Sequence, residues 1–105
     1  MNDTLFLITS TYTKNAAGVD IPAYEKNEVF CDKKSVSKNE FFNAGRNGLN
    51  PEFVFTVFKA DYQGERSCEY DGLTYSIYRT YEKSDDDYIE LYVQRKGGSN
   101  GESNG

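Results

Sequence analysis

The residues able to do chemistry are few, and their spacing withholds most of it. The chain contains no histidine. The commonest general base and the commonest transition-metal ligand are therefore missing, and no Cys-His or Ser-His-Asp constellation is available. Cys31 and Cys68 stand far apart in the sequence and lack the paired spacing of a zinc site. Each falls in an apolar, strand-like pattern, so both are expected as buried small hydrophobes and as reduced thiols rather than a disulfide. Asp85-Asp86-Asp87 is a run of carboxylates, but a calcium loop needs spaced ligands and a bidentate Glu. Contiguous aspartates suit a solvated turn. Glu40, Glu52 and Glu69 are the remaining acid–base candidates, and nothing in their placement brings two of them together. Gly45-Arg46-Asn47-Gly48 is too short for a phosphate loop and does not open a helix. No catalytic, cofactor or metal role is assigned to any residue, and the chain is expected not to be an enzyme.

The elements that must position any functional surface follow from composition and pattern. With 105 residues, the chain is long enough for one domain with a modest core. Nine Tyr and seven Phe, with no Trp, make 15% aromatic content. Tyr packs its ring on a pleated surface while its hydroxyl stays wet, which favours strands and protein interfaces. A net charge of −5 disfavours a nucleic-acid backbone as the main partner. No window approaches a membrane-spanning length. Met1–Thr4 carries no basic region ahead of Leu5–Ile8, so no secretory signal is expected.

Alternation and turn residues predict six strands. They are Leu5–Tyr12, Tyr24–Asp32, Glu52–Asp61, Arg66–Tyr70, Leu73–Thr80 and Tyr88–Lys96. Asn15-Ala16-Ala17-Gly18 is a turn, and Asp20-Ile21-Pro22 is extended at best because Pro22 cannot donate to a ladder. Asp71-Gly72 between alternating strands is a strong hairpin signal. Ser37 with Glu40 three residues on forms a capping box, predicting a short helix over Lys38–Ala44 with Gly45 as its stop. The expected fold is a mainly β, small antiparallel barrel of about six strands, with one short α-helix in a long loop. It occupies residues 1–96 as a single domain, followed by a flexible Gly/Ser/Asn tail over 97–105.

Two places look adhesive. Glu52–Asp61 is apolar on both faces, Phe53, Phe55 and Val57 on one and Val54, Phe58 and Ala60 on the other. Such a strand is covered on both sides, by the core and by either the helix or another subunit. On the helix, Phe41 and Phe42 point about 100° apart, so both are buried only if the helix is covered twice. The loop with Arg46, Asn47 and Leu49 is long for so small a domain. Phe41, Phe42, Arg46, Asn47, Leu49, Val54 and Phe58 are therefore the expected partner or subunit interface.

A family resemblance runs through these same elements. The stretches are Glu28-Val29-Phe30-Cys31-Asp32, Ser35-Val36-Ser37, Glu40-Phe41-Phe42-Asn43-Ala44-Gly45 and Leu49-Asn50-Pro51-Glu52-Phe53. They continue as Asp61-Tyr62-Gln63-Gly64-Glu65, then Tyr70 through Tyr81, then Ile89-Glu90-Leu91-Tyr92. In this order and spacing, over roughly Leu5 to Lys96, the chain resembles the head–tail joining (head closure) proteins of tailed bacteriophages and prophages. The resemblance implies a structural connector assembling as a ring between the portal or adaptor and the tail. It implies help in retaining packaged DNA and a docking surface for the tail, with passing contact with that DNA. Lys34–Pro51 would be the loop facing the channel, and Thr11–Tyr24 the extended stretch that contacts a neighbour. The implied setting is the bacterial host cytoplasm during assembly and then the virion head–tail interface, with no cofactor and no membrane. The alternative is a small β-barrel binding module for a peptide or for single-stranded nucleic acid, with Tyr78, Tyr88 and Tyr92 stacking on bases.

Overall fold

In the computed structural model, which describes residues 1–82 and 84–96, six antiparallel strands close on themselves. They are β1 (Asp3–Lys14), β2 (Asp20–Ser35), β3 (Pro51–Phe58), β4 (Ser67–Tyr70), β5 (Leu73–Glu82) and β6 (Tyr88–Arg95), with one helix, α1 (Lys38–Arg46), between β2 and β3. Around the barrel the order is β1-β2-β3-β6-β5-β4. A short ladder pairing Phe6, Leu7 and Ile8 of β1 with Glu69, Cys68 and Ser67 of β4 makes the closure. The expected barrel with a single short helix is what the chain forms. The Gly/Ser/Asn-rich stretch expected as a flexible tail, 97–105, lies outside the described residues.

Period-two alternation fills the barrel from every strand. Leu5 and Leu7, Cys31, Phe55 and Val57, Cys68, Tyr75, and Ile89, Leu91 and Val93 form one buried cluster. Phe53, Tyr62, Tyr70 and Ile77 pack against it. Phe55 sits centrally, its ring 5.0 Å from that of Tyr70 and 6.2 Å from that of Tyr75. Both cysteines are buried free thiols in this cluster. Burial, with Asp3 and Asp32 adding to it, pushes the Cys31 thiol up to about 11. Burial and then Cys31 push Cys68 up to about 12.

The β4–β5 hairpin turns on Asp71 and Gly72, at φ 53° and 78°. Positive φ at both positions is what a two-residue type I′ turn requires, and Asp-Gly supplies it at low cost.

Several boundaries differ from expectation, each for a local reason. β3 stops at Phe58, because Lys59–Asp61 tightens into a 3-10 turn. The helix continues past Gly45 to Arg46 and ends at Asn47, with Gly48 at φ 79°. There the Leu49 amide donates to the Ala44 carbonyl at 3.0 Å and the Gly48 amide to the Gly45 carbonyl at 3.1 Å. That is a Schellman stop, which wants its glycine one residue beyond the cap. Gly48, not Gly45, holds that position.

The largest difference is in the first hairpin. β1 and β2 pair continuously from Asp3↔Cys31 to Lys14↔Asp20, with Pro22 inside β2 opposite Tyr12. β1 meets β4 only as far as Ile8, and β2 meets β3 only from Asp32 onward. Beyond Ile8 the two strands therefore leave the barrel as a two-stranded arm, about 20 Å long at ~3.4 Å per residue. Pro22 is tolerated because, among the described residues, the arm has no third strand to receive an N–H.

Candidate functional site

The helix surface begins with its cap. The Ser37 side chain accepts from the Glu40 amide at 3.1 Å, satisfying one of the orphan donors of the first turn. Only this half of the expected capping box forms, because the Glu40 carboxylate turns toward β5 instead. It accepts from the Tyr78 hydroxyl at 2.7 Å and from Arg79 at 2.5 Å through Nη2 and 3.3 Å through Nε. Arg79 in turn lies 3.9 Å over the Tyr92 ring. The Tyr92 hydroxyl donates to Glu90, which also pairs with Lys34 at 2.8 Å.

A bulge makes this clasp possible. The β5–β6 register slips between Ile77 and Arg79, leaving Tyr78 as the extra residue. Successive strand residues ordinarily face opposite ways, and a bulge re-aims one of them. Tyr78 and Arg79 thereby reach the same carboxylate. The hydrogen bond from Arg79, then that from Tyr78, holds the Glu40 carboxyl below its ordinary range. Burial and the bond to Glu40 raise the Tyr78 hydroxyl. Burial, and then the bond to Glu90, raise that of Tyr92.

The helix packs on β3, where its one buried residue is Ala44. Val54, on the outer face of β3, is also buried, and both lie outside the barrel cluster. The second cover of the two-faced strand is thus the chain's own helix, seated on a small residue rather than on its phenylalanines. Val54, expected as an interface residue, is corrected on this ground, since a side chain already covered within the protomer offers no surface to a partner.

Phe41 and Phe42 remain exposed, edge to face at 5.9 Å. Arg46 and Asn47 are exposed beside them, and Leu49 is half-buried. Phe58 does not join this group. It lies at the far end of β3, stacked on Tyr88 at 5.1 Å. The acid–base candidates are not brought together: Glu40 is bound to Arg79, Glu69 pairs with Lys26 at 2.6 Å, and Glu52 is exposed. Among the described residues no cluster of three or more His, Cys, Asp or Glu could hold a metal ion.

The arm is the second surface, and residue patterning missed its extent. Its tip is fixed by Asn15, whose side chain accepts from the Ala17 and Val19 amides at 2.9 and 3.0 Å. Thr9, Thr11 and Thr13 supply β-branched stiffness, and Lys14 pairs with Asp20 at 3.1 Å. Among the described residues, no other element covers it. Tyr12 is 72% exposed and Tyr24 67%, and Val19, Ile21 and Phe30 are exposed as well. The signal that could have revealed it is a turn flanked by strand formers with no alternating apolar face, which means strands with no core beneath them.

No family model matches the chain, and no curated protein matches it.

Proposed function

We propose that the chain is a structural connector subunit of a tailed phage or prophage, joining head to tail as one member of a ring. The reading rests on the resemblance over Leu5–Lys96. The observation that carries it furthest is the uncovered arm. Thr11–Tyr24 is the stretch that the resemblance assigns to contact with a neighbour, and it projects from the barrel with Tyr12, Val19, Ile21 and Tyr24 exposed. A two-stranded ribbon is marginally stable in water on its own, so an exposed aromatic arm is more useful in an assembly than alone.

The rest of the surface is compatible with that role. Five Lys and Arg side chains sit in ion pairs with carboxylates, and the net charge of −5 suits a channel through which DNA slides without sticking. The loop Lys34–Pro51, carrying α1, is the proposed channel-facing or docking element. Its proposed partners are the portal or adaptor ring above and the tail proteins below. The alternative, base stacking by tyrosines, has less to draw on. Tyr78 and Tyr92 are tied into the Glu40 and Glu90 network, and Tyr88 is stacked on Phe58.

The test is negative-stain microscopy of the chain mixed with the adaptor ring of the same particle. Ring-on-ring complexes are expected. Failure to form them at high protein concentration would remove the assignment.

A further inference from the structure

We infer that the β1–β2 arm of one copy docks on helix α1 of the next, so that the chain assembles head to tail through these two surfaces. The inference rests on the ring-forming reading above and names the contact within it.

The first reason is geometric. The arm tip and α1 lie at opposite ends of one strand. β2 begins at Asp20 in the arm, runs sixteen residues to Ser35, and α1 opens three residues later. At ~3.3 Å per residue that strand spans about 50 Å, matching the longest dimension of the molecule, 50 Å. An arm cannot fold back onto its own helix. A contact between two different surfaces at opposite ends is heterologous and propagates from copy to copy, closing into a ring when the rotation permits.

The second reason is chemical complementarity. Cross-strand register puts Tyr12, Tyr24, Glu28 and Phe30 on one face of the hairpin, opposite the core-facing Leu5, Leu7 and Cys31. That face is aromatic; its Lys14 and Asp20 pair with each other and its Lys26 with Glu69, while its Glu28 makes no ion pair among the described residues. On α1, Lys38, Phe42 and Arg46 fall at i, i+4 and i+8, one stripe of the helix, with Phe41 beside it. Phe42 is 62% exposed, and Lys38 and Arg46 make no ion pair among the described residues. An aromatic strip bearing an unpaired acid thus has its counterpart in an aromatic strip bearing unpaired bases. Such a pairing sets both register and direction.

Cross-linking tests it directly. A Tyr24→Cys copy is mixed with a Phe42→Cys copy and treated with a short bismaleimide. The native thiols are buried and do not compete. Heterotypic dimers should form at least about tenfold faster than either variant cross-links with itself, as a directional contact requires. A charge exchange makes the second arm of the test. Glu28→Lys or Lys38→Glu alone should weaken self-association in sedimentation velocity by about tenfold, and mixing the two variants should restore it.

Homotypic cross-links as fast as heterotypic ones, no recovery on mixing, or a wild-type chain that stays monomeric up to about 1 mM would each overturn the inference. If the chain assembles on the adaptor ring without the Tyr24–Phe42 cross-link, this contact is wrong and the connector role stands. If the cross-link forms but no adaptor complex does, the connector role is wrong and the contact stands.

Discussion

Glu40→Ala should loosen helix α1 while leaving the barrel folded. The carboxylate accepts from Tyr78 at 2.7 Å and from Arg79 at 2.5 and 3.3 Å. Glu40 keeps only 12% of its side-chain surface, whereas Arg79 is 44% exposed. A hydrogen bond to a charged group contributes ~1.5–3 kcal/mol, but an ion pair with one partner nearly half in water contributes only ~0–1 kcal/mol. The Tyr78 bond is therefore the larger part, and the loss is about 2 kcal/mol, equivalent to roughly 30-fold in the opening equilibrium.

Because α1 is outside the barrel cluster, the loss should be local. Amide exchange over residues 41–47 should accelerate roughly 30-fold, while the amides of β3 and β6 keep their protection. The pH dependence has a definite sign. Glu40 is shifted below its ordinary value of 4.5, so its contribution is fully present above that value and disappears as pH falls through the lowered one. Helix protection in the wild type should fade on acidification in that window, and Glu40→Gln should flatten the profile. If the helix amides accelerate less than about threefold, or the barrel strands accelerate with them, the clasp is not what holds the helix.

Position decides what a phenylalanine contributes. Phe55→Ala should cost about 3–5 kcal/mol in denaturant unfolding, whereas Phe42→Ala, on the exposed helix face, should stay within about 0.5 kcal/mol; equal losses would contradict the core assignment. The thiols of Cys31 and Cys68, pushed up to about 11 and about 12 by burial, should be silent to a disulfide reagent at mildly alkaline pH. They should react only as the barrel unfolds, and fast labelling of the native protein would place one of them at the surface.

Residue patterning reached the barrel because alternation is a two-residue signal and this core obeys it. Ile89, Leu91 and Val93 face inward as their spacing required, and Asp71-Gly72 turned where it should. The helix was legible through Ser37. Its attachment was not, because that depends on a bulge at Tyr78, and a one-residue slip leaves no mark in composition. Gly45 and Gly48 illustrate a similar limit: both can end a helix, and the choice fell to whichever glycine let the Leu49 amide reach Ala44. Of the expected interface, Phe41, Phe42, Arg46 and Asn47 are grouped at the surface, while Val54 is covered and Phe58 stands apart. Apolarity on both faces of β3 could not say which residues the helix would cover.

The order in which the strands close has a kinetic consequence. β1 and β2 are adjacent in sequence and form a hairpin in ~1–10 μs. β1 must then wait for β4 and β3 for β6, so the barrel shuts only when Arg95 has been made. At ~5–20 residues per second the stretch from Ser35 to Arg95 takes on the order of several seconds to synthesise. Throughout that interval the longest hairpin of the molecule stands with both edges open, the condition under which nascent strands pair with the wrong chain. Pro22 sits near the tip of the part of β2 that gains no second neighbour among the described residues, and it interrupts the edge where a foreign strand would extend the ladder.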